Sequence, residues 1–479
     1  MIDELRAEIG RLRDAAAPLE PNTDVRRKIG GQALDHALAY WDQVETASSN
    51  RPWSEVFSRR LDPEFTEEGR DPASVLDYVG ACIDAPGFAT TSPRFMAYIP
   101  GGGVPYAAFG DLLAATSNKY SGFASASPGA VRIENACVAW LASVIGFPHE
   151  AAGTLTSGGS TANLTAIVAA REARDPDGGG AVYVTRFAHY CIDKALHIAG
   201  RGRSPKRVIA TDENYRMSLE ALEQALEKDR CSGVRPWLVV ASAGTVDTGA
   251  IDPLPEIAEL CRRYGAWLHV DGAYGGLFAL CEHGRKLLRG IDQADSVALD
   301  PHKTLFLPYG TGAALVRDGR LLQDAFSASG EYIRPLGDSE VGPSPADLSP
   351  ELTRHFRALR LWLPLQIAGI SAFRAAQAEK LALARYFHAL LSEMDGFDAG
   401  PEPQLSVVAF RYLQKSGDVD EFNEKLMRHI QQEGRVMMSG TRIDGSYRLR
   451  CAILSFRTHL EHIDEALDTV LRGVKTLGG

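Results

Sequence analysis

The sequence Ala-Trp-Leu-His-Val-Asp-Gly-Ala-Tyr-Gly-Gly, residues 266–276, contains a short apolar run that ends in an aspartate, Asp271. A second apolar run, Trp-Leu-Val-Val-Ala, covers residues 237–241. Between the two runs, apolar side chains recur at helical spacing and share one face: Leu254, Ile257, Ala258, Cys261 and Tyr264. This pattern predicts a strand, a helix and a second strand, so Asp271 is expected at the end of a strand in a parallel sheet.

The same alternation of apolar runs and amphipathic stretches extends over residues 86–365 and predicts a large α/β domain, a parallel sheet flanked by helices. Residues 1–85 are mostly polar, and their apolar stripes are too small for an independent core, so they predict an N-terminal helical arm. Helical stretches around two apolar runs, 405–411 and 447–456, predict a small α+β domain over residues 366–479.

Lys303 lies in a third apolar run, Ser-Val-Ala-Leu-Asp-Pro-His-Lys-Thr at residues 296–304, and follows Asp271 by 32 residues. The carboxyl ends of parallel strands are where ligands bind in an open α/β sheet. An amine that can carry an aldehyde as a Schiff base, and a carboxylate that can keep a pyridine nitrogen protonated, are the two requirements of pyridoxal phosphate (PLP) chemistry. The sequence therefore predicts PLP as the cofactor.

A glycine-rich turn, Gly-Gly-Ser-Thr at residues 158–161, precedes a helical pattern formed by Leu164, Ile167 and Val168. Glycine allows close approach to the backbone, and the first amides of a helix lack partners within the helix. This turn is therefore a candidate seat for a phosphate group.

The two strand-end runs are accompanied by four further stretches, at residues 156–163, 188–190, 242–252 and 352–362. In their order and spacing these stretches resemble the group II amino-acid decarboxylases, and the likeness extends from about Ser92 to the C-terminus. The resemblance implies the PLP-dependent transferase fold (fold type I) and decarboxylation of an L-amino acid, with an aromatic substrate as the first guess. It also implies a homodimer in which the N-terminal arm packs on the partner subunit and the site lies at the subunit interface.

The resemblance also implies roles for individual residues. Gly159 and Ser160 would hold the phosphate, while His189 and Ala273 would contact opposite faces of the ring. The implied cofactor-binding set comprises Gly159, Ser160, His189, Thr245, Asp271, Ala273, His302 and Lys303, with His302 near the phosphate or the substrate. Partial burial and the cationic ring are expected to lower the pKa of Lys303 so that it can attack the aldehyde.

Residues 327–350 break the regular pattern, because 12 of these 24 residues are Ser, Gly or Pro, and they predict a mobile loop. Ser349 is predicted to cap a following helix, with Pro350 as its first residue. By resemblance, Tyr332 in the loop protonates the substrate's α-carbon, so the implied catalytic residues are Lys303, Asp271, His189 and Tyr332. Relatives with phenylalanine at this place tend to form aldehydes, so tyrosine favours an amine product.

The residues that would shape the substrate pocket depart from the aromatic-acid decarboxylases. Gly101–Gly103 and Ser121–Phe123 stand where those enzymes carry bulkier residues, and Val246 replaces a second threonine. The candidate walls of the reshaped pocket are Tyr98, Tyr106, Tyr120 and Phe123.

Three other activities stay open at this point. An aminotransferase on the same fold also needs Asp271 and Lys303, and usually clamps the substrate carboxylate with an arginine, for which Arg448, Arg450 and Arg457 are candidates. An aldehyde-forming decarboxylase is the second, and a PLP-binding protein without turnover is the third. Intact Lys303, His189 and Tyr332 argue against the last.

Bulk properties limit the partners. The formal net charge of −10 gives no basic surface of the kind that binds nucleic acid. The first residues are charged and no apolar run approaches membrane-spanning length, so we expect a cytoplasmic protein with no membrane segment. The seven cysteines form no cluster with metal-ligand spacing, so we expect no metal.

Overall fold

The computed structural model describes residues 1–51, 65–327 and 341–478, and Tyr332 therefore lies outside the described residues. The described N-terminal region contains three helices and a short antiparallel pair of strands: α1 (Ile2–Ala16), α2 (Thr23–Gln43), β1 (Asn50–Arg51), α3 (Pro72–Val79) and β2 (Gly87–Phe88). Helix α1 buries none of its residues, and its apolar Leu5, Ile9 and Leu12 are all exposed. The predicted helical arm is thus present but has no core of its own.

A seven-stranded sheet forms the centre of the molecule. Its strands are β3 (Ala152–Thr156), β4 (Ala181–Thr185), β5 (Lys206–Ile209), β6 (Pro236–Ser242), β7 (Trp267–Gly272), β8 (Ser296–Leu299) and β9 (Gly312–Val316). They lie in the order β3-β9-β8-β7-β6-β4-β5. Every residue of β6 is buried, as expected for a strand covered on both faces.

The sheet is mostly parallel, as predicted, but one of its strands runs antiparallel. Strand β9 runs antiparallel to both of its neighbours, β3 and β8, whereas the remaining pairs are parallel. The 12 residues between β8 and β9 contain a single helical turn, Pro301–Thr304. A parallel return usually uses a full crossover helix, and this connection contains only one helical turn, so the chain comes back antiparallel.

Helices cover the sheet. In chain order they are α4 (Pro105–Ser117), α5 (Pro128–Val144), α6 (Gly159–Arg174), α7 (Cys191–Ile198), α8 (Leu219–Cys231), α9 (Leu254–Tyr264), α10 (Glu282–Leu287), α11 (Pro301–Thr304) and α12 (Gly319–Phe326). Helix α9 buries Leu254, Ile257, Ala258 and Cys261, which are four of the five residues on the predicted face. The strand, helix and strand predicted from residues 237–271 are therefore confirmed as β6, α9 and β7.

The C-terminal region combines four helices with a second sheet: α13 (Ala358–Ala368), α14 (Ile370–Ser392), β10 (Phe397–Asp398), β11 (Val407–Tyr412), α15 (Val419–Glu433), β12 (Ser439–Ile443), β13 (Ser446–Ala452) and α16 (Leu460–Thr476). The second sheet has the antiparallel order β10-β11-β13-β12 and a separate hydrophobic core. The α+β character predicted for this region is confirmed, while the three domain boundaries stay predictions.

The helix predicted to start at Pro350 begins only at Ala358. Arg354 explains the delay, because its guanidinium is buried against the first strand of the sheet. It lies 2.8 Å from Glu134 Oε1 and donates to the Leu155 carbonyl oxygen at 2.6 Å. Ser349 Oγ does accept from the Glu351 amide at 3.3 Å, but this closes a local turn instead of capping a helix.

None of the helices in the described residues is both long and apolar enough to cross a membrane.

Candidate active site

The predicted cofactor residues meet at the carboxyl edge of the central sheet. They line one cavity of about 280 Å³ that lies between the ends of β6, β7 and β8 and the first turn of α6. All eight residues of the predicted cofactor-binding set contribute to its wall: Gly159, Ser160, His189, Thr245, Asp271, Ala273, His302 and Lys303. The carboxyl ends of parallel strands share one edge, so residues far apart in sequence converge here.

Lys303 lies on α11, immediately after β8, and its ammonium is paired with a carboxylate three residues earlier. Lys303 Nζ is 2.9 Å from Asp300 Oδ2, and the Asp300 side chain is only 2% exposed. Burial alone would lower the pKa of Lys303, but the charge and hydrogen bond of Asp300, with the weaker charge of Asp271, act against burial, and the pKa is raised. The expected lowering rests on burial and on the cationic ring of the bound cofactor, and Asp300 acts against it in the protein alone.

Asp271 is the second charged residue that was predicted. It is the penultimate residue of β7, and its Oδ1 accepts from the Ala273 amide at 3.1 Å. This bond fixes the carboxylate relative to the small side chain of Ala273, which is itself buried. The pair places an acceptor and a flat apolar surface side by side in the cavity.

The first turn of α6 forms the third part of the cavity. Among the described residues, no hydrogen bond from the backbone amides of Gly159 and Ser160 is found. A Cβ atom at Gly159 would lie 2.7 Å from Asp300 Oδ2 and 3.0 Å from Ala273 Cβ, so this position requires glycine. The amides provide donors at a helix N-terminus, as an anionic group requires.

His189 and His302 are both uncharged near neutral pH. Burial lowers the pKa of His189, against the opposing charge of Asp271, and burial likewise lowers the pKa of His302. His189 Nδ1 accepts from the Cys191 amide at 3.3 Å, so its proton is on Nε2. His302 Nδ1 lies 2.7 Å from the Thr311 carbonyl oxygen, so its proton is on Nδ1.

A buried hydrogen-bond chain supports the cavity from below, and sequence reasoning assigned no role to its members. Trp267 Nε1 donates to Ser296 Oγ at 2.8 Å, and Ser296 Oγ lies 2.9 Å from His269 Nδ1. His269 Nε2 lies 2.6 Å from Asn163 Oδ1, and Asn163 Nδ2 donates to the Gly159 carbonyl oxygen at 2.9 Å. The chain thus connects β7 and β8 to the first turn of α6. Asn163 and His269 belong to motifs noticed in the sequence, but their partners are visible only in the fold.

We expect His269 to make stability depend on pH. Burial lowers the pKa of its imidazole from its ordinary value near 6.5 to about 4. The unfolded chain takes up a proton below pH 6.5 whereas the folded chain does not until about pH 4, so stability should fall as pH drops through this window, by about 3 kcal/mol in all. Urea unfolding at several pH values measures the effect. In His269→Gln the total loss of stability across this pH window should be smaller by this amount, and an unchanged loss would contradict the assignment.

The residues proposed from sequence as substrate-pocket walls are not brought together with the cofactor residues. Among the described residues, Tyr98, Tyr106, Tyr120 and Phe123 do not line the 280 Å³ cavity, and the three tyrosines are exposed. The structure of this chain therefore leaves their assignment as substrate-pocket walls a prediction.

The glycine segment Gly101–Gly103 packs directly against the turn that carries Lys303. A Cβ atom at Gly101 would overlap the carbonyl oxygen of His302. The Gly102 carbonyl oxygen accepts from Arg457 Nη1 at 2.6 Å, and the Val104 amide donates to the Phe306 carbonyl oxygen at 2.7 Å. Gly101–Gly103 and the adjacent Val104 therefore contact the chain on both sides of Lys303, and together they form a glycine clamp around this residue.

The arginines considered as carboxylate clamps are engaged within the chain. Arg448 is paired with Asp398 at 2.7 Å, and Arg457 binds the Gly102 carbonyl oxygen. Arg450 donates to the Val246 carbonyl oxygen at 2.5 Å and to Ser439 Oγ at 3.1 Å, although its Nη2 has no partner among the described residues. These contacts disfavour the aminotransferase alternative.

PLP fits this set of residues. Lys303 provides an amine, Asp271 provides an acceptor for a ring nitrogen, and the amides of Gly159 and Ser160 provide donors for a phosphate, all in one cavity. The requirement for glycine at position 159 independently indicates a site built for close backbone approach.

Comparison with known proteins agrees with this fit. The sequence model of the "Pyridoxal-dependent decarboxylase conserved domain" matches residues 57–413. The "Aromatic-L-amino-acid decarboxylase" of Bacillus atrophaeus is 34% identical over 93% of this chain and 94% of its own length. The "Phenylacetaldehyde synthase" of Petunia hybrida is 30% identical over 93% of both chains.

A solved structure also matches nearly the whole fold. The crystal structure of Oryza sativa TDC with PLP and tryptamine superposes with a TM-score of 0.89 and 25% identity, and covers 96% of this chain and 99% of that one. The predicted fold type, cofactor and enzyme class are thereby confirmed. The chain belongs to the pyridoxal-dependent decarboxylase family, whose members are PLP-dependent carboxy-lyases.

Proposed function

We propose that this protein converts an aromatic L-amino acid to the corresponding amine and carbon dioxide. The observation that carries the proposal is the convergence of Lys303, Asp271 and neutral His189 on one cavity with a phosphate seat. The similarity to the Bacillus atrophaeus aromatic-L-amino-acid decarboxylase supports the substrate class, as does the likeness to a structure that contains tryptamine.

Each residue of the cavity has a role that follows from its chemistry. When bound, PLP supplies an electron sink for the electron pair that the departing carboxylate leaves behind. Lys303 is the amine that holds the cofactor, and Asp271 is the acceptor that keeps the ring nitrogen protonated. The amides of Gly159 and Ser160 bind the phosphate. Neutral His189 contacts the ring without adding positive charge to the cavity.

Thr245 and His302 complete the proposed cofactor contacts. Thr245 Oγ1 lies 2.8 Å from Thr248 Oγ1 and accepts from the Ala250 amide at 3.2 Å, so its hydroxyl is held at the edge of the cavity. His302 presents Nε2 as an acceptor. Tyr332, from outside the described residues, is proposed as the acid that returns a proton to the α-carbon.

We also propose that the enzyme works as a homodimer in the cytoplasm. Helix α1 has no buried residue and exposes Leu5, Ile9 and Leu12, which leaves an apolar stripe for a partner subunit to cover. In this arrangement the site lies at the subunit interface, so that the partner subunit helps to enclose the substrate.

The test is a product assay on the purified enzyme with added PLP. We expect L-tryptophan, L-tyrosine or L-phenylalanine to give its amine with an equal amount of carbon dioxide, and L-glutamate to give none. Formation of a keto acid from the substrate would instead indicate an aminotransferase, and turnover of L-glutamate alone would overturn the aromatic assignment.

The same assay decides between amine and aldehyde. An aldehyde product is the alternative that the similarity to phenylacetaldehyde synthase raises. The tyrosine at position 332 favours the amine, because relatives with phenylalanine at this place tend to form aldehydes. Aldehyde, ammonia and peroxide should therefore be minor products, and their dominance would assign the chain to the aldehyde-forming activity.

A further inference from the structure

Asp300 is a buried carboxylate at the point where Lys303 and the phosphate seat meet. Its side chain is 2% exposed and lines the cavity. Oδ2 is 2.9 Å from Lys303 Nζ, and Oδ1 has no hydrogen-bond partner among the described residues. A buried, half-satisfied carboxylate is costly to maintain unless a cation faces it, so the pair with Lys303 is the contact that stabilises it here.

His302 does not stabilise the Asp300 carboxylate. Its Nε2 lies 3.7 Å from Asp300 Oδ2, beyond a hydrogen bond. Its Nδ1 carries the proton and binds the Thr311 carbonyl oxygen, which leaves Nε2 as a second acceptor facing the carboxylate. Lys303 is therefore the cation on which Asp300 depends.

The other titratable groups around the pair come from several neighbouring elements: Asp271 on β7, Cys191 on α7, His189, Tyr309 and, through His302, Arg360 on α13. Burial raises the pKa of the Cys191 thiol to about 12 and also raises the pKa of the Tyr309 hydroxyl, so both are uncharged near neutral pH. Asp271 acts on Lys303 in the same direction as Asp300 but more weakly. Asp300 thus dominates the charge balance at Lys303.

We propose that Asp300 holds Lys303 as an ammonium whenever this lysine is not bound to the cofactor, and thereby limits the rate of cofactor capture. Only the neutral amine can form a bond to the aldehyde. The ion pair stabilises the charged form, so Asp300 opposes capture near neutral pH. Asp300 acts through Lys303 and is a positioning residue. The inference rests on the proposed role of Lys303 as the cofactor-binding amine.

Asp300 also lies beside the phosphate seat, since a Cβ atom at Gly159 would touch Oδ2 at 2.7 Å. Removing its charge should therefore favour a bound phosphate as well as a neutral lysine. The two effects are separated by two probes. Pyridoxal, which has no phosphate, reports on the amine, and pyridoxine 5'-phosphate, which has no aldehyde, reports on the phosphate seat.

The test uses enzyme from which PLP has been removed. The rate at which it captures pyridoxal is measured by absorbance across a range of pH. In Asp300→Asn the loss of the counterion should lower the pKa of Lys303 and shift the profile to lower pH. Each unit of that shift raises the neutral fraction about tenfold, so we expect capture near neutral pH to be at least about tenfold faster than in the parent enzyme. Pyridoxine 5'-phosphate should also bind more tightly.

Two variants serve as controls, and a third is a substitute for the test variant. Asp193→Asn removes the same charge from an exposed residue on α7 that is paired with Lys206 and does not line the cavity, and it should leave the profile in place. Asp300→Glu keeps the charge and should retain a profile closer to that of the parent. Asp300→Ser removes the carboxylate by a different side chain and replaces Asp300→Asn if that variant does not fold. An unshifted profile, or slower capture, in the folded neutral variant would overturn the proposal.

Borohydride trapping of the captured aldehyde, followed by peptide mass analysis, identifies the residue that binds it. This measurement distinguishes a failure of the proposal for Asp300 from a failure of the proposed function. Label on Lys303 with an unshifted profile in Asp300→Asn rejects only the role of Asp300. Label on a different residue rejects the proposed role of Lys303 itself.

Discussion

Replacing Lys303 by alanine is expected to abolish the absorbance of protein-bound PLP and to reduce turnover by about 10³-fold or more, the scale on which enzymes lose activity without their covalent catalytic group. The loss follows from geometry, since the described wall of the cavity contains no second lysine. Absorbance spectra and the rate of carbon dioxide release, both measured with added PLP, check the result. Retained absorbance with retained turnover would contradict the assignment of Lys303.

The same substitution should weaken the fold, which requires a control. Without Lys303, Asp300 stays buried with no cation beside it, and breaking a buried pair in this way costs about 3–5 kcal/mol. The double variant Lys303→Ala with Asp300→Asn should recover most of that stability and none of the activity. Lys286→Ala, an exposed lysine on α10, should behave as the parent.

Asp271→Asn is expected to keep PLP bound while turnover falls by about 10²–10³-fold, the scale for a lost electrostatic stabiliser. Asparagine can still accept from the Ala273 amide, so the local turn is preserved. It cannot hold a proton on the ring nitrogen, so the electron sink is weakened. The measurements are the bound-PLP spectrum and kcat.

Two outcomes distinguish this effect from simple loss of the cofactor. If excess PLP restores turnover in Asp271→Asn, the carboxylate serves mainly in binding. If turnover is near normal without excess PLP, the electron-sink role is wrong. Asp193→Asn again provides a matched charge change outside the cavity.

Much of the fold could be predicted because its buried strands are short, uninterrupted apolar runs. The run 237–241 became β6 (Pro236–Ser242), and the pattern from Leu254 to Tyr264 became α9 over the same residues. The cavity could be predicted for a related reason, since residues that follow successive strands must share an edge. Asp271 and Lys303 meet because β7 and β8 are parallel neighbours.

The parts that could not be predicted depend on contacts that exist only in the folded chain. The start of α13 is set by Arg354, which is drawn to Glu134 more than 200 residues earlier. The orientation of β9 follows from the connection around Lys303, which contains only one helical turn. The raised pKa of Lys303 depends on Asp300, whose closeness in sequence was visible but whose rotamer and burial were not. The buried chain from Trp267 to Gly159 likewise requires three elements to pack together before any of its bonds exists.

The glycine clamp around Lys303 also bears on how the molecule is made. The N-terminal part of a chain leaves the ribosome first, so Gly101–Gly103 emerges long before His302. Arg457 emerges later still, because it follows Gly102 by 355 residues. Contacts of such long range form late and slow the folding of a domain. A nascent chain that ends before Arg457 therefore lacks the side chain that binds the Gly102 carbonyl oxygen, and this contact forms only when synthesis is almost complete.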